Sequence, residues 1–265
     1  MRLRAALPLA ACSVLLASGC PPRVPPPDLS LDPAQLLTQV REAQAPLQRV
    51  QGEARLRLRS PRGSAGVRQF AAAERPDRVH LEELDFFGNP AAVLVAAGGR
   101  FWFYDARKKI LYRGPATPAN LSRLVPLPLS AEDLVSILLG TAPLLDGGQP
   151  VQAVPDRARL RLELRRADVT EVLWIGAGAV VERAERQVAG GAGPGSYQVE
   201  FSARQERGGG WFPGQISLRS DPAHVQVDLS WTDVQVNGEI DARLFEPPAP
   251  KGAKIVEVGE GGDGS

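Results

Sequence analysis

The chain contains 265 residues, with 31 lysines and arginines, 30 aspartates and glutamates, and a formal net charge of +1. A composition that is 43% hydrophobic and 23% charged excludes a wholly disordered chain, and the length is sufficient for one large domain or two small ones with a buried core. Because the positive and negative charges nearly balance, there is no global electrostatic reason to expect a nucleic acid as the partner, and none is predicted.

The N-terminal segment has the layout of a bacterial secretory signal. Arg2 and Arg4 precede an apolar run over 5–17, which is shorter than the roughly 20 residues that a permanent membrane-spanning helix needs. The run ends in small residues directly before Cys20, and this ending resembles the lipobox, in which the cysteine becomes the lipid-modified first residue of the mature protein. We therefore expect a lipoprotein signal peptide over 1–19 and a lipid anchor at Cys20. The alternative is an ordinary signal peptide with an incidental cysteine.

The next segment is rich in proline. Five of the residues 21–27 are prolines, which is typical of a stiff polyproline-II stalk, so residues 20–31 are predicted to be the lipidated cysteine and its stalk. Pro21 stands where an aspartate would favour retention in the inner membrane, and we therefore expect an outer-membrane location facing the periplasm. Residues 32–257 are predicted to form one domain, and residues 258–265 are predicted to form a disordered Gly-rich tail.

The predicted domain begins with a helix and continues with strands. Asp32 followed by Pro33 is a typical helix start, and the apolar spacing after it predicts an amphipathic helix over 33–45. From Val50 onward the apolar period changes to two, which is typical of half-buried antiparallel strands with one wet face. The clearest alternations lie in segments 54–59, 159–165, 197–201 and 225–231. The parity of the apolar residues flips across 231–234, which predicts a β-bulge.

One hairpin departs from this alternation. Residues 91–97 and 101–104 are apolar on both strand faces, so the hairpin must be covered on both sides or must line an apolar cavity on one of them. Two helices are predicted after it: a short one from Pro118, and a second that begins at Ser130 with a capping-box sequence and ends at Gly140. The second helix is apolar around most of its circumference and must be buried. This order of elements predicts an α+β fold, a strongly curved antiparallel sheet with helices covering its concave apolar face.

Three short motifs occur in order along the chain. They are residues 88–90 between neighbouring strands, the hairpin 98–105, and the C-terminal segment 245–256. Together they resemble the LolA/LolB family, which comprises the periplasmic carrier and the outer-membrane receptor of bacterial lipoproteins. The resemblance implies an unclosed antiparallel half-barrel whose helical lid covers an apolar cavity for acyl chains. Because a receptor needs an anchor and a soluble carrier does not, the anchor expected at Cys20 favours the LolB role.

The resemblance also implies a role in transport rather than in chemistry. A protein of this kind binds acyl chains, accepts lipoproteins from a periplasmic carrier and inserts them into the outer membrane. Its expected partners are therefore acylated lipoproteins, that carrier and the membrane, and we expect a monomer. The residues expected to contact acyl chains are Phe101, Trp102, Phe103, Tyr104, Leu134, Ile137 and Leu138. One alternate pair of the four aromatic residues is expected to face inward and the other to pack outside; the alternative is that these aromatics are plain core.

Two further aromatic residues precede the first motif. Phe86 and Phe87 stand at an expected hairpin tip. By analogy with the exposed apolar loop residue that the receptors use for membrane insertion, these two residues are candidates for a membrane-insertion loop. The alternative is that they are core residues which close one end of the barrel.

Signatures of enzymes and metal sites are missing from the sequence. It contains no G-x-S-x-G, Walker A or H-E-x-x-H motif, and its two histidines, His80 and His224, argue against a Cys/His zinc site. We therefore expect no enzymatic activity, no cofactor and no metal. His80 is expected on the polar face of its strand, solvated or hydrogen-bonded. Two other hypotheses stay open: a non-enzymatic envelope scaffold that uses the Arg-rich outer faces, and a ligand-sensing lipoprotein on the same fold.

Overall fold

The computed structural model describes residues 28–121, 127, 129–189, 196–220, 224–248 and 250–259. The expected signal peptide, Cys20, the prolines of the expected stalk and residues 260–265 lie outside the described residues, and the expectations for them stay predictions.

The described residues form one sheet of fourteen strands together with a few helices. The helices are α1 (Pro33–Gln44), α2 (Pro118–Leu121) and α3 (Ala131–Leu138), with 3₁₀ helices at Ala177–Ala179 and Ala242–Phe245. The strands are β1 (Arg49–Ser60), β2 (Gly63–Glu74), β3 (Arg78–Leu84), β4 (Pro90–Ala97), β5 (Arg100–Asp105), β6 (Ile110–Pro115), β7 (Gln149–Asp156), β8 (Arg159–Arg166), β9 (Val169–Ile175), β10 (Val181–Val188), β11 (Tyr197–Arg207), β12 (Gly210–Ser220), β13 (Val225–Val236) and β14 (Lys254–Glu257).

The sheet consists of two antiparallel meanders, which are joined side by side through β1. β1 pairs with β2 on one side and with β13 on the other, so the series β1 to β6 and the series β13 back to β7 extend in opposite directions. β14 adds to β6 in parallel at one edge, and β7 is the other edge. The sheet is therefore open within the described ranges. The predicted fold class, an unclosed, curved antiparallel sheet with helices on its apolar face, is confirmed.

The first helix forms where the sequence predicts it. The Asp32 carboxylate caps α1 by accepting a hydrogen bond from the Gln35 N–H at 2.8 Å. The buried side chains of α1 are Leu36, Leu37 and Val40. They pack α1 against β7 and β8 and fill the interior of that part of the sheet. The helix ends at Gln44, close to the predicted boundary.

The third helix also begins and ends at its predicted signals. The Ser130 hydroxyl accepts from the Asp133 N–H at 3.0 Å, and the Asp133 carboxylate reaches back to the Ser130 N–H, which completes the capping box. Gly140 follows the C-terminal cap at φ +71°, and a Cβ built there would lie 2.0 Å from Pro213, so only glycine fits. α3 lies against β2 and β3 with most of its side chains buried, as the apolar circumference predicts.

The predicted bulge is confirmed in the register of β1 and β13. Glu53 pairs with Asp233 and Ala54 pairs with Trp231, which leaves Thr232 as the extra residue. The Thr232 hydroxyl donates to the Glu53 carbonyl at 3.1 Å. Because of this extra residue, the apolar residues on both sides of it can face the interior.

The hairpin of β4 and β5 follows the second of the two arrangements that its apolar sequence allows, because its inner side lines a cavity and its outer side is partly covered. On the inner side α3 contacts the neighbouring strands β2 and β3, and on the outer side the 3₁₀ helix Ala242–Phe245 contacts β3 and β4. His80 on β3 makes a hydrogen bond to the Leu244 carbonyl at 2.8 Å and is 7% exposed, so it is hydrogen-bonded rather than solvated. The neighbouring outer residue Val95 is fully covered. The C-terminal segment is therefore part of the wall around the sheet.

Residues on both sides of the predicted domain, 32–257, make contacts with the folded part of the chain. Leu29 packs against the core, although it was assigned to the stalk. Val258, assigned to the tail, is 4% exposed, and its N–H donates to the Arg113 carbonyl at 2.8 Å. The Gly259 carbonyl accepts from Asn120. The composition of the two termini does not predict these contacts, because a single apolar residue is enough to pack a polar or Pro-rich segment against the core.

Candidate functional site

A cavity of about 270 Å³ lies between α3 and the inner face of the sheet. Its walls come from β1 to β5, β12 and β13, and its roof comes from α3. The lining side chains are Leu56, Leu58, Ala65, Val67, Gln69, Leu81, Glu83, Ala92, Leu94, Phe103, Leu127, Leu134, Ile137, Leu138, Ile216, Leu218, Val227 and Leu229. All but two of these residues are apolar, so the lining is complementary to hydrocarbon rather than to a polar molecule.

Strict alternation along the strands supplies these walls. Leu56 and Leu58 on β1 face inward, whereas Arg55, Arg57 and Arg59, which alternate with them, face outward. The neighbouring strands repeat the pattern, since Leu56 is paired with Val67 and Leu229, and Leu58 with Ala65 and Val227. The wall therefore follows directly from the alternation seen in the sequence.

The helix that covers the cavity, α3, is held in place by an arginine at each end. At its start, Arg186 of β10 makes ion pairs with Asp133 at 3.1 Å and with the fully buried Glu171 of β9 at 3.0 Å. Burial raises the pKa of Glu171, and the charge of Arg186 acts against this rise. Just beyond the other end, Arg75 donates to the Thr141 hydroxyl at 2.9 Å. These contacts fix α3 above the sheet at a separation that leaves the cavity open.

One end of the cavity reaches the surface. At the end of the sheet that holds the β1–β2 and β3–β4 turns, Ala65 is exposed and Leu58 is half-buried, whereas Leu94 and Leu134 further along the cavity are buried. The register places the turn 85–89 at this same end, because Leu84 pairs with Arg68 in the first half of β2. The cavity therefore has a mouth beside the β3–β4 turn.

The β3–β4 turn presents two exposed aromatic side chains beside this mouth. Phe86 is 93% exposed and Phe87 is 85% exposed, and their ring centroids lie 5.5 Å apart. The Asp85 carboxylate accepts hydrogen bonds from the N–H groups of Phe87 and Asn89 at 2.9 and 2.8 Å, so the turn is internally braced. The hydrogen bond from the Asn89 N–H lowers the pKa of Asp85. The alternative that these phenylalanines close the barrel as core residues is wrong, because both rings face solvent.

The residues expected to contact acyl chains fall into two groups. Phe103, Leu134, Ile137 and Leu138 line the cavity. Phe101, Trp102 and Tyr104 do not line it. Phe101 faces inward but is packed in the core beside Gly114, and Trp102 and Tyr104 alternate to the outer face. An apolar strand thus contributes only one of its four aromatic side chains to this cavity.

Most of the lining was not singled out from the sequence. The alternation of β1 and β13 predicts one inward face of a sheet, the lining residues of β2 and β12 were not identified, and nothing in the sequence shows that this face borders a void. Gln69 and Glu83 were missed as lining residues, although the alternation of β3 correctly places Glu83 opposite to Glu82. The sequence does contain a signal for both residues. Side chains two positions apart on a strand lie on the same face, so Glu83 must share a face with the apolar Leu81.

The described residues contain neither a helix that is long and apolar enough to cross a membrane nor a group of three or more metal-ligating side chains. No protein-family model matches the sequence, and no curated protein matches it either.

Solved structures do share the fold. An outer membrane lipoprotein-sorting protein domain from Vibrio parahaemolyticus has 12% sequence identity and a TM-score of 0.57, over 79% of this chain and 95% of that chain. A LolA superfamily protein from Nitrosomonas europaea has 13% identity and a TM-score of 0.57, over 82% and 98%. A DUF1329 family protein from Desulfovibrio piger has 12% identity and a TM-score of 0.59, over 82% and 98%. The predicted resemblance to LolA/LolB is therefore confirmed at the level of the fold.

Proposed function

We propose that this protein is an outer-membrane-anchored lipoprotein that holds the acyl chains of other lipoproteins in its cavity, accepting them from a periplasmic carrier and inserting them into the membrane. The observation that carries the proposal is the open, apolar cavity under α3. A scaffold without a ligand has no need of such a void, because unfilled apolar space lowers stability.

The energetics of acyl chains support a sheltered transfer. Burying one methylene group is worth about 0.8 kcal/mol, so a sixteen-carbon chain costs on the order of 13 kcal/mol to expose to water. A lipoprotein therefore needs an apolar site at each step between two membranes. The transfer is non-covalent, from one apolar site to another and then to the bilayer, so the proposed function includes no enzymatic step and no cofactor.

The expected anchor distinguishes a receptor from a soluble carrier. The lipobox-like sequence before Cys20 supports lipid attachment, and attachment through more than one acyl chain gives stable membrane association. Residues 20–27, with their prolines, would then separate the domain from the bilayer.

The exposed phenylalanines support release into a membrane. Phe86 and Phe87 lie beside the mouth, where apolar side chains that enter the bilayer would bring the cavity opening to the acyl region. Partly covered aromatics are common on protein surfaces, but two neighbouring rings that are almost fully exposed form an apolar patch that needs a partner.

The test is a transfer assay with the full-length lipidated protein in liposomes. A periplasmic carrier loaded with an acylated lipoprotein is added at equimolar protein, and the cargo is followed by flotation of the liposomes. We expect the cargo to move to the liposomes only when this protein is present. Cargo that stays entirely on the carrier would contradict the proposed function.

A further inference from the structure

Two polar side chains interrupt the apolar lining of the cavity. Gln69 on β2 and Glu83 on β3 are directly opposite each other in the register, which places their Cβ atoms about 5 Å apart. Gln69 is 8% exposed, and Glu83 is half-buried. Within the part of the chain that the structure describes, neither side chain has a hydrogen bond or an ion pair.

The amide of Gln69 has no hydrogen-bond partner among the described residues, and its polar atoms open onto the cavity rather than being sealed in the core. Substituting an apolar residue for Gln69 would complete the apolar wall. Gln69 and Glu83 are therefore free to bond to a polar group of a ligand in the cavity.

The pair lies where the head of an acyl ligand would rest. Glu83 is the last inward-facing residue of β3 before the turn with Phe86 and Phe87, so it lies at the mouth. Leu81 and Leu94, the next inward-facing pair, lie deeper in the cavity. A chain that enters tail first would therefore place its polar end beside Gln69 and Glu83.

The chemistry of the pair selects the kind of head group. A carboxylate only accepts hydrogen bonds, whereas the glutamine amide both donates and accepts. An acyl amide matches both, because its N–H can donate to Glu83 and its carbonyl can accept from Gln69. A carboxylate or phosphate head would instead put a second negative charge beside Glu83, where the low polarity of the surroundings strengthens repulsion. The arginines of β1 do not offset this charge, since Arg55, Arg57 and Arg59 alternate to the outer face. Arg68 of β2 also lies on the outer face, and its guanidinium extends toward Gly88 of the β3–β4 turn rather than into the cavity lining.

We infer that the cavity is selective for acyl chains whose head group carries a hydrogen-bond donor and no negative charge, such as an amide-linked chain, and that it rejects free fatty acids. Gln69 and Glu83 are the residues that set this preference. The inference rests on the proposed function, because it concerns the ligand of the same cavity.

The test compares two probes with the same twelve-carbon acyl chain. Dodecanoate has an anionic head, and the ethanolamide of dodecanoic acid has an amide and a hydroxyl group. Each is titrated at pH 8 into the full-length chain carrying Cys20→Ser, so that no lipid attached to the protein competes. We expect the amide to bind at least about tenfold more tightly, which corresponds to one charge-assisted hydrogen bond.

Variants assign the selectivity to the pair. Glu83→Gln keeps the shape and removes the charge, and we expect it to reduce the preference to less than about threefold, mainly through tighter dodecanoate binding. Gln69→Leu is expected to weaken amide binding and to leave dodecanoate binding unchanged. The control is Glu53→Gln, which removes the same charge from the outer face of β1 and should leave both affinities unchanged. Thermal unfolding of each variant shows whether it is folded.

The outcomes separate this inference from the proposed function. If both probes bind equally well and Glu83→Gln changes neither affinity, the head-group selectivity is wrong and acyl binding stands. If neither probe binds, the cavity does not hold acyl chains and both proposals fail.

Discussion

Two strands with the same leucine-arginine alternation, β8 and β1, lie in different surroundings. On β8 the inward-facing residues Leu160, Leu162 and Leu164 are at most 1% exposed. On β1 the inward-facing residues Leu56 and Leu58 are half-buried and line the cavity. The difference comes from the helix above each strand, since α1 packs directly against β8, whereas α3 is held above the β1 side and leaves space.

This contrast shows what an alternating strand determines. Alternation fixes which side chains face the interior, but the element that covers them decides whether they become core or the wall of a cavity. The packed part of the sheet supplies a rigid body, and the cavity part has room for a ligand. Arg186 joins the two parts, because it contacts Glu171 on β9 and Asp133 on α3.

The largest effect on stability is expected from removing Arg186, which joins the two parts of the sheet. Arg186→Ala leaves the fully buried carboxylate of Glu171 without its counter-ion, which destabilises a protein by about 3–5 kcal/mol. Urea unfolding would show the loss as a lower transition midpoint. Arg243→Ala is the control, because Arg243 and Asp241 form an exposed pair whose loss should leave the transition midpoint nearly unchanged. Equal effects of the two substitutions would show that Arg186 does not join the parts of the sheet.

The second-largest effect on stability is expected in β8, and the same kind of substitution in β1 gives a direct comparison. Leu162→Ala on β8 opens a hole in a fully packed interior and should cost about 3 kcal/mol of unfolding free energy. Leu58→Ala on β1 removes a half-buried side chain that already borders empty space, and should cost less than about 1 kcal/mol. Urea unfolding of both variants measures the difference. Similar losses would mean that the space under α3 is closed in solution.

The sheet and its covering helices were predictable because their signals are local. The alternation of residues 54–59 and 159–165 gives strands and their inner faces, and the Ser130–Asp133 capping box gives the start of the lid. The flip in parity at Thr232 gives the bulge. Each of these features depends on residues close together in the sequence.

Other features depend on contacts between distant residues, and the sequence does not show them. Arg186, Glu171 and Asp133 come from three separate elements, so no spacing predicts their ion pairs. The aromatic segment 101–104 signals burial strongly, yet only Phe103 borders the cavity, because the lining depends on where α3 lies across the sheet. Hydrophobicity alone therefore predicts the wall of a cavity less well than strand parity does.

Filling the cavity should separate binding from stability. Ala92 lines the cavity, and Ala91 beside it on β4 faces outward, so the two positions form a matched pair. We expect Ala92→Phe to weaken binding of a fluorescent acyl probe at least about tenfold, with a change in unfolding free energy of about 1 kcal/mol or less, since the new ring occupies existing space. Ala91→Phe should leave probe affinity within about twofold. Unchanged probe binding by Ala92→Phe would place the ligand outside this cavity.

The smallest effect on stability, together with a specific effect on function, is expected at the β3–β4 turn beside the mouth of the cavity. Phe86→Glu together with Phe87→Glu changes two rings that are almost fully exposed, so unfolding free energy should change by less than about 0.5 kcal/mol. Release of cargo to liposomes should be blocked, because charged side chains enter a bilayer at high cost, while uptake from the carrier continues. The control is Val151→Glu together with Ile255→Glu, which changes two exposed apolar residues on the edge strands β7 and β14. Release that survives the change at Phe86 and Phe87, or that is lost equally in the control, would mean that the β3–β4 turn does not direct insertion.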